Sequence, residues 1–303
     1  MKELLILEFT FFVLIFAGIL AKRLRIIGAD GRKTLTSLVI NIVLPCSTVT
    51  AFMVEVSDDQ LRDCVTIFII SVIIQLFAIA YGKTIYRKSP ADRRPSLIFG
   101  IICSNAAFLG NPVAEGLYGA EGLILANIYL LPLRIAMWSE GIALFTGNHD
   151  RKATAKTVLT HPCVVACFIG FFLMIFRIRL PEPLAMPIEA LGRCNTALSM
   201  MVIGLILADI HPRELWDPDV AMFTVHRLLI LPLILFAALH FLPLPEISKD
   251  LAVILLAMPA GATTTMLAAQ YGKNEAFAVK LVVFSTLFSI PSIFLWSVIC
   301  GAR

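Results

Sequence analysis

Arg134 stands near the centre of an apolar stretch, LILANIYLLPLRIAMWSEGIALF. A charge in such a place costs about 2.5–3.5 kcal/mol on insertion scales, so it faces a bundle interior or a cavity. Its planar fork matches a carboxylate bidentately, and its charge cannot be titrated away. Two readings stay open: Arg134 meets a substrate anion, or it forms a buried ion pair, for instance with Glu140. Six positions separate the two, so they do not share a helical face closely. A second chemical signal is ICSNAAFLGNPVAEGLYG, where Ser104, Asn105, Gly110, Asn111 and Pro112 interrupt an apolar run. A third is MPAGATTTMLAAQYG, where Pro259, Ala260 and Gly261 do the same. Broken helices expose free N–H and C=O ends, which bind a solute where protein and water replace lipid.

Other polar groups are weaker candidates. Lys280 lies a turn or two inside an apolar helix and either snorkels or lines a pathway. Asn41, Gln75, Asn127 and Asn195 are amides for which hydrogen bonds across helices are the default; Asn41 is kept as a solute ligand as well. Glu189 and Arg193 have the spacing of a local ion pair. His161, His226 and His240 are scattered near helix ends. No nucleophile–base pair, phosphate loop or metalloprotease motif occurs, so an enzyme is not expected. The seven cysteines lie mostly in apolar runs without metal spacing, so neither metal nor cofactor is expected.

The elements that must position these groups are membrane helices. Hydrophobic residues make up 59% of the 303 and charged ones 15%, against about 25% charge in soluble domains. The net charge of +4 therefore speaks to orientation in a bilayer and not to nucleic acid. Spanning helices of about 17–25 residues fit at about 4–21, 34–53, 62–82, 95–112, 120–146, 157–176, 185–208, 218–241, 248–270 and 276–300. The first run leads into basic KRLRIIGADGRK without a cleavage pattern, so no removable leader is expected. Lys and Arg crowd the turns after spans one, three and five, while the turns after two and four are acidic. Positive turns face the cytoplasm, which puts the amino terminus outside a multi-pass cell (inner) membrane protein. Labels in the loop 148–156 should then react only from inside, and those in 54–61 only from outside.

Two halves of five spans invert one another: residues 1–147, a cytoplasmic linker at 148–156, and residues 157–303. YGAEGLILANIYLLPLRIAMWS from Tyr118 parallels YGKNEAFAVKLVVFSTLFSIPSIFLWS from Tyr271, and each follows one of the interrupted runs. FVLIFAGILAKRLRI likewise parallels VACFIGFFLMIFRIRL. Paired interruptions in corresponding halves point to the midplane site of a transporter.

These stretches resemble the auxin efflux carrier family, which includes plant auxin exporters and bacterial carboxylate permeases. SNAAFLGNPVAEGLYG has the family's Asn before a Gly-x-Pro and then Tyr-Gly, and MPAGATTTMLAAQYG its Pro-small break before a Tyr. VFSTLFSIPSIFLW and LVINIVLPCSTVTAF resemble its last and second spans. The resemblance implies an all-α integral membrane protein of ten transmembrane helices in two inverted five-helix repeats, a fold shared with bile-acid symporters and sodium/proton antiporters. Broken spans four and nine cross, the first at Ser104–Asn105 and the second at Pro259–Ala260. Spans three to five and eight to ten form a moving domain; spans one, two, six and seven form a scaffold and the contact of a homodimer. The plant exporters have Pro at the position of Ser104 and a polar residue at that of Ala260, and their long cytoplasmic loop is reduced here to TGNHDRKATAK. Those departures point away from auxin. The expectation is a permease moving a small organic anion, such as malate or malonate, by alternating access, with H+, Na+ or no coupling ion left open. Sodium-coupled symport of the bile-acid type is the alternative.

Overall fold

The computed structural model describes residues 2–53, 61–146, 159–160, 162–209 and 216–301. The linker at 148–156 and most of the loop at 54–61 lie outside them. The described residues are almost wholly helical, with an isolated β-bridge between Ser104 and Ala260. Apolar composition explains this: in lipid a backbone must satisfy its own polar groups, and a helix does so within one segment.

Helix α1 (Lys2–Arg23) is followed by α2 (Ala29–Leu38), which passes through a π-helical turn (Val39–Val43) into α3 (Leu44–Phe52). Next come α4 (Leu61–Ile85), α5 (Arg94–Ile102), a second π turn (Ala106–Gly110) and α6 (Asn111–Thr146). The rest is α7 (Pro162–Ile175), α8 (Glu182–Leu207), α9 (Pro218–Val225), a third π turn (His226–Ile230) leading into α10 (Leu231–His240), α11 (Glu246–Leu256), α12 (Thr263–Gln270) and α13 (Glu275–Ile299). Among the described residues, six stretches are long and apolar enough to cross a membrane: Asp30–Thr50, Arg62–Ile85, Glu121–Thr146, Glu182–Leu207, Pro218–His240 and Glu275–Ile299. The fourth and ninth expected spans are each cut into short pieces, α5 with the start of α6 and α11 with α12, so neither is one uninterrupted helix.

The π turns have a covalent cause. Pro45, Pro112 and Pro232 each follow one by two residues. A proline ring clashes with the carbonyl four residues back and offers it no N–H, and the helix widens locally. The carbonyl left over by Pro232 belongs to Leu228, and α13 supplies its donors: Ser292 Oγ at 2.9 Å and Trp296 Nε1 at 2.8 Å. Both Tyr-Gly pairs turn the chain through a left-handed glycine, Gly119 (φ 64°) and Gly272 (φ 60°). Gly119 separates the first turns of α6 from the apolar stretch carrying Arg134. Two arginines also adopt left-handed backbone, Arg25 (φ 57°) and Arg177 (φ 50°). Each closes its helix with the same pair of bonds, Arg25 N to Lys22 O with Ile26 N to Ala21 O, and Arg177 N to Met174 O with Ile178 N to Leu173 O.

Packing is densest within two groups. In one, α1 lies along α8, and α3 along α7 and α8; in the other, α4, α5 and α6 pack with one another and with α11, α12 and α13, while α9 joins through α13 and α10 through α11. Between α1 and α8 the backbones touch at Gly18 and Gly204: a Cβ on Gly204 falls 2.0 Å from the Ile15 carbonyl oxygen. Outward faces carry Phe9, Ile73, Phe168, Met186, Leu233 and Val298 exposed, as expected of a surface solvated by lipid. Ion pairs gather the helix ends: Lys22–Asp209, Arg32–Glu275, and Arg93 with Asp217 and Asp219. Asn274 donates to Asp92 among them. The hydrogen bond that Arg93 donates to Asp219 is the largest cause holding its guanidinium above its ordinary pKa. Tyr118 instead donates to Asp250 at the turn before the long stretch of α6.

Candidate functional site

The two breaks meet. Cys103, at the end of α5, has extended backbone, and Asn105 N donates to Pro259 O at 2.8 Å while Gly261 N donates to Cys103 O at 3.0 Å. These bonds form the Ser104–Ala260 bridge, where antiparallel chains cross. Gly261 allows the approach: a Cβ there would lie 3.1 Å from Cys103 Sγ and 3.3 Å from two backbone oxygens.

A broken helix buried in protein must satisfy its loose ends, and the donors come from neighbouring helices. Gln75 of α4 donates its amide to Ile102 O at 3.1 Å. Arg227, in the π turn between α9 and α10, donates Nη1 to Ile101 O at 2.7 Å and Nε to Met258 O at 2.9 Å. One guanidinium thus ties the C-terminal ends of both half-helices. Ala260 N donates to Ser285 Oγ of α13 at 3.2 Å. Arg227 is only 1% exposed. The reading from sequence passed over it, although the rule that singles out Arg134 applies equally to an arginine inside FTVHRLLILPLILF.

Around this scaffold, Ser104 Oγ, Thr264 Oγ1 and Thr265 Oγ1 are buried and have no hydrogen-bond partner among the described residues. Asn105 is buried as well, and its side chain does not cap the turn that it starts. Cys103 Sγ sits 3.2 Å from Met137 Sδ and 3.3 Å from Thr263 Oγ1, in the field of both Arg227 and Arg134. Among the described residues, no group of three or more His, Cys, Asp or Glu converges on a point.

Of the residues singled out from sequence, Ser104, Asn105, Pro259, Ala260 and Gly261 come together, and Arg134 is buried one helical turn from Met137, which touches Cys103. Asn41 is exposed and bonds within its own helix, to the Ser37 carbonyl at 2.8 Å and hydroxyl at 3.1 Å. No described hydrogen bond links it to the crossing. Lys280 is half-buried on α13, with no ion pair among the described residues. Two of the remaining amides bond between helices, Gln75 as above and Asn195 with Ser47, while Asn127 accepts from Asn111 across the Gly119 turn within α6. Glu189 and Arg193 pair at 3.6 Å.

Glu140 pairs with Lys83 of α4 at 2.8 Å. This pair is partly exposed, so removing it costs no more than about 1 kcal/mol. Were Arg134 to hold a substrate carboxylate, Glu140→Gln would leave that binding unchanged. Arg134→Lys should weaken binding about tenfold, because it keeps charge without the planar fork, and Arg134→Ala further. Thermal-shift titration of the three variants checks this. Equal losses in Glu140→Gln and Arg134→Ala would return Arg134 to the structural role.

Comparison with known proteins agrees with a carrier. The model of the family described as membrane transport protein matches residues 6–161 and 151–297. An uncharacterized transporter of Methanocaldococcus jannaschii is 25% identical over 298 residues, covering 94% of each chain. An uncharacterized transporter of Methanothermobacter thermautotrophicus is 26% identical over 292 residues, covering 95% of each.

Proposed function

Because this chain belongs to the membrane transport protein family, that of the auxin efflux carriers, we propose that it is a secondary carrier moving small organic anions, such as malate or malonate, by alternating access. One observation carries the reading. At the crossing of two broken helices, Ser104, Thr264 and Thr265 hold buried hydroxyls without partners among the described residues; buried Arg227 bonds to the same crossing, and buried Arg134 lies one turn from Met137, which touches Cys103. Unpaired polar atoms in a dry interior cost about 1–3 kcal/mol each. A solute that accepts their hydrogen bonds and answers the positive field offsets that cost.

Ten membrane crossings in two inverted halves are part of the same proposal. The helix ends support it, since the turns assigned to the cytoplasm are those joined by Arg32–Glu275, Arg93–Asp217 and Asn274–Asp92. Tyr118–Asp250 joins two turns assigned to the outside. Matched left-handed turns support the repeat: Arg25 with Arg177, and Gly119 with Gly272. The two packing groups correspond to a scaffold of spans one, two, six and seven and a moving domain of the other six. Homodimerisation through the scaffold, and an outside amino terminus, complete the reading.

No nucleotide-binding motif supplies energy. An inside-negative potential, worth about 2.3 kcal/mol per charge per 100 mV, already drives anions outward. Proteoliposomes loaded with labelled malate or malonate are expected to lose label faster than empty-vesicle controls. Asn105→Ala should cut that flux at least tenfold, with the protein still folded in the membrane. Near-normal flux in the variant would return the break to a packing feature.

A further inference from the structure

We infer that the charge of Arg227, beyond its hydrogen bonds, selects an anion at the crossing. The inference rests on the carrier reading above and names the residue that sets its charge preference. The guanidinium is fully buried, and its described partners are two neutral carbonyls, Ile101 O and Met258 O. No carboxylate pairs with it among the described residues.

Helix dipoles do not remove that charge. Each C-terminal end carries about half a negative elementary charge and each N-terminal end about half a positive one. Two ends of each kind meet here: α5 and α11 finish at the crossing, while the chain after Asn105 and α12 start from it. The four ends cancel, and the positive charge of Arg227 remains, added to that of Arg134. Because it is bonded to both C-terminal ends, the positive N-terminal ends are left unopposed. Those are the ends that carry Ser104, Thr264 and Thr265, with buried hydroxyls lacking partners among the described residues.

Gln75 separates charge from hydrogen bonding. It caps the neighbouring carbonyl, Ile102 O, with a neutral amide at 3.1 Å. Holding a broken end therefore needs a donor and not a cation. A buried cation is far more expensive than an amide, and an anionic solute is the counter-charge that accounts for it.

The test uses the full chain in detergent with two probes of similar shape, malonate and its neutral diamide. The wild type is expected to bind malonate at least thirtyfold more tightly than the diamide. Arg227→Gln, which keeps a carbonyl-capping amide, should fold and lose at least tenfold of that preference, Arg134 supplying what remains. Arg227→Lys should retain most of the preference. A folded Arg227→Gln that still prefers malonate as the wild type does overturns the inference and leaves the carrier reading intact. If the Gln variant does not fold, the wild type and Arg227→Lys decide: equal affinity for the two probes, or a Lys variant without the preference, overturns it. A wild type that binds neither malonate nor any other small carboxylate, and transports none, overturns the carrier reading and this inference with it.

Discussion

Bridging positions 32 and 275 with a short bifunctional thiol reagent is expected to stop transport completely, and cleaving the bridge to restore it. Arg32 opens the helix pair α2–α3 of the first packing group, and Glu275 opens α13 of the second. Their ion pair, 3.1 Å long and partly buried, is the one described salt bridge that joins the two groups. The others lie inside a group: Lys22–Asp209 in the first, Arg93 with Asp217 and Asp219 in the second. Nearby, Asn274 caps α13 by accepting from Phe277 N and donates to Asp92, so the segment around Glu275 is held from two sides. If one group moves against the other, this contact opens once per cycle. The experiment uses an Arg32→Cys, Glu275→Cys double variant in a background without reactive native thiols. Unimpaired flux in the bridged protein would show that the two groups do not separate here.

Gly204→Leu is expected to leave almost no folded protein, whatever the substrate. A Cβ at Gly204 would lie 2.0 Å from Ile15 O, and one at Gly18 2.2 Å from Met201 O, so both collisions are with backbone. No rotamer relieves a backbone collision, and α1 must leave α8. Membrane helices lack a hydrophobic force to re-pack them, since lipid tails are as apolar as leucine; close backbone contact is what small residues provide. The loss should exceed the about 1–3 kcal/mol of an overpacked core. Monodispersity and melting temperature after extraction measure it, with Gly204→Ala as a milder step in the same direction. A Leu variant that melts like the wild type would mean that α1 and α8 are farther apart in the bilayer.

Much of the site was legible in the residues themselves. Pro259 and the Ser104–Asn105 pair declare breaks because proline lacks a donor and small polar side chains compete for backbone bonds. Both Tyr-Gly pairs could be read as turns, and both glycines adopt left-handed backbone. Arg227 was no less legible than Arg134, being a charge inside an apolar run, but its task was not. That it spans both breaks depends on Ile101 and Met258 lying next to each other, far apart though they are in the chain. Glu140 choosing Lys83 on another helix, and Asn41 turning back to Ser37, are of the same kind. Helical spacing says which residues share a face, and it is silent on what that face meets.

The sequence by itself determined that this protein lives in a bilayer, that its helices run between basic and acidic turns, and where two of them cannot continue. Those properties follow from local covalent and solvation physics: apolar side chains, proline's missing N–H, and glycine's freedom at positive φ. The family resemblance already implied a crossing at Ser104–Asn105 and Pro259–Ala260; only the tertiary structure decided that Gln75 and Arg227 hold the broken ends, and that Gly18 and Gly204 bring α1 against α8. The reason is that a free carbonyl in a dry interior takes whichever donor packing brings within about 3 Å, and packing is a property of the whole chain.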